Sequence, residues 1–258
     1  MMSTLERKLR ARNIPFDHNG NRIRCFPHVI NIAVKTGLSY LTDIPPLLDG
    51  ETDDDEYRDS LRSDLISRVR HLVNLCRASG NRREDFRDTV LSMREEIRKG
   101  EDEELIDDEA DQNDKSKLLE RVVVLLRDVD TRWSSTFLMV DRFLELYPAI
   151  ERFVQGDPKI SDGELFSSVD LQVLNDIREY LFAFHSIQEL ASSEKTPTLS
   201  IVLPLYEGLV DILGSLKVSL RNLSHVIDVS LNKLREYINK ARTTRIYGLA
   251  MGNLALYM

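Results

Sequence analysis

Cysteine is nearly missing from this chain. Cys25 and Cys76 are the two present in 258 residues, too few for a disulfide framework and suited to a reducing compartment, cytosol or nucleus. Glycine is sparse at 11 residues, and nowhere does it build the Gly-rich loop that cradles nucleotide phosphates. There is no nucleophile elbow and no His-Glu-x-x-His pair, which removes the commonest hydrolase and metalloprotease readings. Long apolar runs are absent as well. The run Val122-Val123-Val124-Leu125-Leu126 is far shorter than the ~20 residues that span a bilayer. The Arg-rich N-terminus lacks the apolar stretch of a secretory signal. A cationic excess is missing too, since the net charge is −8, and phosphate contacts need Lys and Arg. These absences point to an intracellular protein, nuclear or cytoplasmic, with no membrane partner and no small-molecule substrate.

What is present is ample material for a core: 42% of the residues are hydrophobic and 30% charged. The length suits one large domain or two small ones of about 100–200 residues each. Met2, Leu5 and Leu9 space a short amphipathic helix at the N-terminus. A strand is expected at residues 22–26, then a helix near 28–37 opened by Pro27 and closed by Gly37 as C-cap. Leu61, Leu65, Val69, Leu72 and Leu75 mark one helix, Ser79-Gly80-Asn81 breaks it, and residues 84–98 form another. Residues 101–114 contain no Lys or Arg and read as a solvated acidic insert. The β-branched triplet at 122–124 predicts a buried strand across 118–127, with a helix over 118–121 as the alternative for its first residues. A helical pattern then runs over 131–154, with Pro148 expected to split it.

Beyond residue 170 the pattern is helical throughout. One stripe is Leu171, Leu174, Ile177, Leu181, Phe184 and Ile187; a second is Leu199, Val202, Tyr206, Leu209, Leu213 and Leu216. Thr198 or Ser200 is the expected N-cap of the second, with Pro204 in its first turn, and a third helix covers 224–241. Short connections predict a helical bundle.

Three blocks resemble the hAT superfamily of DNA transposases. Arg24-Cys25-Phe26-Pro27-His28-Val29-Ile30-Asn31-Ile32-Ala33 is similar to the family's Cys-x-x-His block. Asp128-Val129-Asp130-Thr131-Arg132-Trp133-Ser134-Ser135-Thr136 is similar to its Thr-Arg-Trp-Asn-Ser block, with Ser134 in place of the usual Asn. Pro197-Thr198-Leu199-Ser200 with Val202-Leu203-Pro204-Leu205-Tyr206 resembles a segment of its all-α insertion, and Ser79-Gly80-Asn81-Arg82-Arg83 is similar to a stretch common in fungal members. The resemblance implies an α+β, strongly α-rich fold: a partial ribonuclease-H-like core with a large all-α insertion. It divides the chain into a partial core at 1–48 with the Cys-x-x-His block, a variable helical and acidic insert at 49–117, a core strand and Thr-Arg-Trp helix at 118–155, and the insertion bundle at 156–258. Complete members bind divalent metal, Mg²⁺, through two Asp and one Glu for strand transfer. By this alignment those positions lie outside the chain, which is expected to need no cofactor and to cut no DNA. A truncated core also leaves sheet edges unpaired and invites self-association.

The resemblance marks Trp133 and Arg132 as DNA-handling residues, and the residue patterns add Arg24, Arg235, Arg242 and Arg245 as phosphate contacts, for weak binding to DNA. Weighed against this, Trp133 packs on the core at a strand-to-helix corner and the arginines are solvated faces. Cys25, His28, Asn31 and Thr131 are motif positions of a structural kind. Cys25 and His28 have the spacing of half a zinc site but no second pair, so a buried Cys25 and a backbone-bonded His28 are expected instead. Asp128 and Asp130 share one face of an extended segment, yet pairing with an arginine such as Arg132 outweighs metal chelation. The rival to DNA binding is a non-catalytic helical scaffold that offers the Leu199 to Leu216 stripe to a partner helix.

Overall fold

The computed structural model describes residues 2–18, 23–45, 55–104, 124–129, 131–157, 164–193 and 198–254. Among them it holds eleven α-helices and no β-strand. In chain order they are α1 (Met2–Arg10), α2 (Phe26–Leu38), α3 (Asp55–Arg62), α4 (Leu65–Cys76), α5 (Gly80–Glu104), α6 (Trp133–Glu145), α7 (Tyr147–Gln155), α8 (Ser168–Ser193), α9 (Val202–Ser219), α10 (Ser224–Arg242) and α11 (Arg245–Leu254). No helix among the described residues is long and apolar enough to cross a membrane.

The chain gathers into two compact units. Met1–Asp54 joins Asp176–Met258 in the first, and Asp55–Asn175 forms the second. In the first unit α2 packs along α10, and α10 along α9. α2 presents Val29, Ile30, Ala33, Val34 and Gly37 to this contact as a buried stripe. At its centre the Tyr180 hydroxyl lies 2.6 Å from Ser230 Oγ, which donates to the Ala33 carbonyl at 3.0 Å. Gly37 is what makes room for this, because a Cβ there would lie 2.2 Å from the Tyr180 hydroxyl and 2.3 Å from Ser230 Oγ. Its predicted role as C-cap is therefore wrong. α2 continues to Leu38 and ends at Ser39, and glycine is needed for close approach rather than for a turn.

The second unit is pinned by charge. Asp170 Oδ1 accepts from Ser60 Oγ at 2.6 Å, while its Oδ2 accepts from Arg68 at 3.0 Å and from the Ser167 N–H at 3.1 Å. Ser167 Oγ accepts in turn from the Asp170 N–H, so the two form a reciprocal cap that starts α8. Arg68 also donates to the Leu165 carbonyl and lies 4.4 Å over the Phe166 ring. Tyr147 accepts from the Phe166 N–H at 2.7 Å and donates to its carbonyl at 3.0 Å.

Several expectations need correcting. The strand at 22–26 does not form: residues 23–25 are irregular and Phe26 already begins α2, where Pro27 fits because the first turn needs no amide donor. Residues 118–123 of the second strand lie outside the described residues. Residues 124–128 are irregular and form no ladder, and the nearest pairing is one isolated bridge between Val129 and Arg132. The carbonyls that a neighbouring strand would use are taken by side chains, since Arg77 donates to Leu125 and Arg142 to Val124. The ribonuclease-H-like sheet is thus not seen among the described residues.

The single helix through Leu61 and Leu75 is two helices. Asp64 breaks it with a left-handed backbone, φ 48°, and caps α4 by accepting from the Ser67 N–H at 3.2 Å. Residues 101–104 of the acidic insert extend α5, and the rest of that insert lies outside the described residues. Neither Thr198 nor Ser200 caps α9. They form a 3-10 turn, and Ile201 stands at the cap without a side-chain bond.

Candidate nucleic-acid interface

In the second unit, Arg132 stands just before α6 with an extended backbone and Trp133 is the first helical residue. A tight turn holds this corner. The Arg132 N–H donates to the Val129 carbonyl at 2.9 Å, and Ser135 Oγ accepts from the Val129 N–H at 2.8 Å. Trp133 is 3% exposed, so its ring is packed in the core and not presented to an unpaired base. Thr131 and Arg132 are exposed beside it.

Asp128 accepts from Arg70 at 2.7 Å and from Thr136 Oγ1 at 3.3 Å, both on its Oδ2. The arginine expected for it was Arg132; α4 supplies Arg70 instead, a partner 58 residues away in sequence that helical periodicity does not reveal. The arginine pairing expected of Asp128 thus forms, on Oδ2, with a different arginine. Asp130, its proposed companion, lies outside the described residues.

In the first unit, Cys25 precedes α2 and is exposed, contrary to the expected burial, because it caps a helix and does not end a strand. His28 is exposed on the first turn of α2 and its side chain has no hydrogen bond to described residues, while Asn31 is half-buried one turn on. The group with metal-ligand spacing among the described residues is Glu6, Asp17 and His18, which includes neither Cys25 nor His28. Arg24 is half-buried, and its carbonyl accepts from the Tyr247 hydroxyl at 3.2 Å. The adjacent Phe26 ring lies 4.9 Å from that of Tyr206. The Cys-x-x-His block is therefore a helix start docked on α9 and α11.

The cations of α10 and α11 lie in this same unit. Arg242 pairs with Glu207 at 2.7 Å, and Lys233 and Lys240 both pair with Glu236. Hydrogen bonds from Lys233 and then Lys240 pull the Glu236 carboxyl down to about 2. Lys240 also lies 5.0 Å over the Tyr237 ring. Arg235 and Arg245 are exposed and have no ion pair with described residues. Residues 231–245 thus carry five cations, Lys233, Arg235, Lys240, Arg242 and Arg245, and one carboxylate, Glu236. The fold gathers Arg24, Arg235, Arg242 and Arg245 in the first unit and places Arg132 and Trp133 in the second.

Arginines at 77, 83 and 87 were passed over in the sequence. The signal was available: Arg83 and Arg87 stand four apart on α5, a repulsive spacing for like charges on a helix.

Comparison with curated proteins and with solved structures gave no significant match. A family model described as the ZBED1 RNase-like helical domain matches residues 23–180. That span is more than half of the chain and takes in both the Cys-x-x-His block and the Thr-Arg-Trp corner. The chain belongs to this family, which is related to the hAT transposases.

Proposed function

We propose that this transposase-derived chain binds DNA weakly through phosphate contacts on α10 and α11 and carries out no strand transfer. The observation that carries the reading is the exposure of Arg235 and Arg245 without a carboxylate partner among the described residues, flanked by Lys233, Lys240 and Arg242. Guanidinium groups held on a helix face but not neutralised are the form of charge that binds backbone phosphates. Arg24 is a secondary contact. Trp133, being buried, acts as the anchor of α6.

The absence of strand transfer is supported by the state of the inner carboxylates. Asp128 and Asp170 are each bound to an arginine, and neither belongs to the group of metal-ligand spacing found among the described residues. The helical scaffold reading loses its surface, because Val202, Tyr206, Leu209 and Leu213 are buried within the first unit. Self-association is a second reading. Leu249 is 70% exposed on α11, and it replaces the sheet edges as the contact that sedimentation would probe.

The test is a binding titration against plain and hairpin-ended duplex at two salt concentrations, comparing wild type with Arg235→Glu/Arg245→Glu. Binding that weakens with salt and falls in the variant is expected. No binding at low salt would refute the reading, and cleaved or joined strands with Mg²⁺ or Mn²⁺ would refute its non-catalytic half.

A further inference from the structure

The second unit contains a cavity of about 320 Å³ that neither the motif blocks nor the basic face of α10 uses. Arg77, Arg83 and Arg87 line it, and Glu84 is the one acid in its wall. This volume falls in the range of small-molecule sites, and its charge is unbalanced.

The arginines are held there by the fold. Arg77 follows the last turn of α4, where its backbone N–H bonds the final carbonyls of the helix. Its side chain donates to the Leu125 carbonyl, while its Nε is buried and bonded to no described residue. Arg127 donates to the Arg77 carbonyl at 3.3 Å. Arg83 and Arg87 come from α5 on the same helix face, one turn apart. Burial, then the charges of Arg127 and Arg83, lower the Arg77 pKa, so the group lies among like charges in a partly dry place. Burial likewise pushes the neighbouring Cys76 thiol up to about 12, so it adds no negative charge to the wall. The first residue of α5, Gly80, also lines the cavity, and the positive end of a long helix adds to the same potential.

We infer that Arg77, Arg83 and Arg87 form a phosphate-binding pocket, for a free phosphate group or for a phosphate of a nucleic-acid backbone. An anion there would satisfy guanidinium donors and relieve the repulsion between them. The pocket does not depend on the DNA reading of α10 and α11, which lie in the other unit.

The experiment uses the full chain with two probes, inorganic phosphate and a short blunt duplex. Each is titrated by calorimetry and by the shift in thermal midpoint, with sodium chloride at matched ionic strength as control. Arg83→Gln/Arg87→Gln is the test variant, because both side chains are exposed and their removal relieves a like-charge pair, so the fold is expected to persist by circular dichroism. Arg235→Glu/Arg245→Glu is the control for the other face. If inorganic phosphate raises the wild-type midpoint beyond the salt control and binds roughly tenfold more weakly to the glutamine variant, the pocket takes free phosphate. If the duplex alone shows that loss, the pocket reads backbone phosphate. The Arg235→Glu/Arg245→Glu variant binds inorganic phosphate as wild type does, and whatever duplex binding it retains still falls on adding Arg83→Gln/Arg87→Gln. Equal binding of both probes by wild type and the glutamine variant, or no binding of either, overturns the inference.

Discussion

The two units bury polarity in opposite ways. The first closes over neutral groups: Tyr180, Ser230 and the Ala33 carbonyl, with Gly37 cleared to admit them. The second closes over charge: Asp170 among Arg68, Ser60 and Ser167, and Asp128 with Arg70. A hydroxyl is inexpensive to bury once bonded, while a buried carboxylate is tolerated only with its partners in place. The first unit should therefore fail by steric insult and the second by loss of a partner or a proton.

The largest effect is expected at Asp170. Asp170→Ala leaves Arg68 partly buried without its carboxylate and removes the side-chain half of the reciprocal cap of α8, costing about 3 kcal/mol. Trp133 is the sole tryptophan and lies in the second unit, so its emission should report the loss during denaturant unfolding. A cost under about 0.5 kcal/mol would mean the ion pair behaves as a surface pair and would erase the contrast between the units.

Gly37→Ala should come next, at about 2 kcal/mol, because a methyl group overlaps Tyr180 and Ser230. Hydrogen exchange should show the damage along α2 and α10. If Tyr180→Phe restores stability in the alanine background, the clash is with the hydroxyl; if it does not, the α2–α10 approach itself is the constraint.

The pH response sharpens the comparison. Burial pushes the Asp170 carboxyl up, but Ser60, Ser167 and Arg68 outweigh it, and it titrates below its ordinary value. Its contribution is present above the unfolded value of roughly 3.9 and is lost as pH falls through the lower folded one. Burial raises Tyr180, whose contribution is present below about 10 and lost as pH rises through its higher folded value. Acid should thus move Trp133 emission before exchange quickens in α2 and α10, and alkali should do more in the first unit. Burial also raises Tyr147 in the second unit, so the alkaline contrast is the smaller one. Simultaneous loss of both units in acid would break the distinction.

The smallest effect is expected at the exposed Arg242–Glu207 pair. Arg242→Ala should change stability by less than about 0.5 kcal/mol while weakening duplex binding.

Local chemistry was legible in the sequence wherever a residue acts on its own turn. Pro148 splits α6 from α7 as its missing amide requires, and the stripe from Leu174 to Phe184 is buried as its period demands. Long-range choices were not legible. Gly37 looks like a cap until Tyr180 and Ser230 are placed beside it. The valine triplet suggests a strand, but a strand needs a neighbour, and the side chains of Arg77, just past α4, and Arg142 on α6 take the carbonyls of residues 125 and 124. At the candidate interface the cations of α10 were readable as a pattern, whereas the burial of Trp133 and the partner of Asp128 depend on contacts that no local spacing encodes.

The central claim is that DNA meets the first unit through α10 and α11. Hydrogen exchange of the full chain with and without saturating duplex at low salt tests it most directly. Slowed exchange across residues 224–254, lost in Arg235→Glu/Arg245→Glu, is the predicted result. Binding with no protection there, or protection centred on the Trp133 corner, would contradict it.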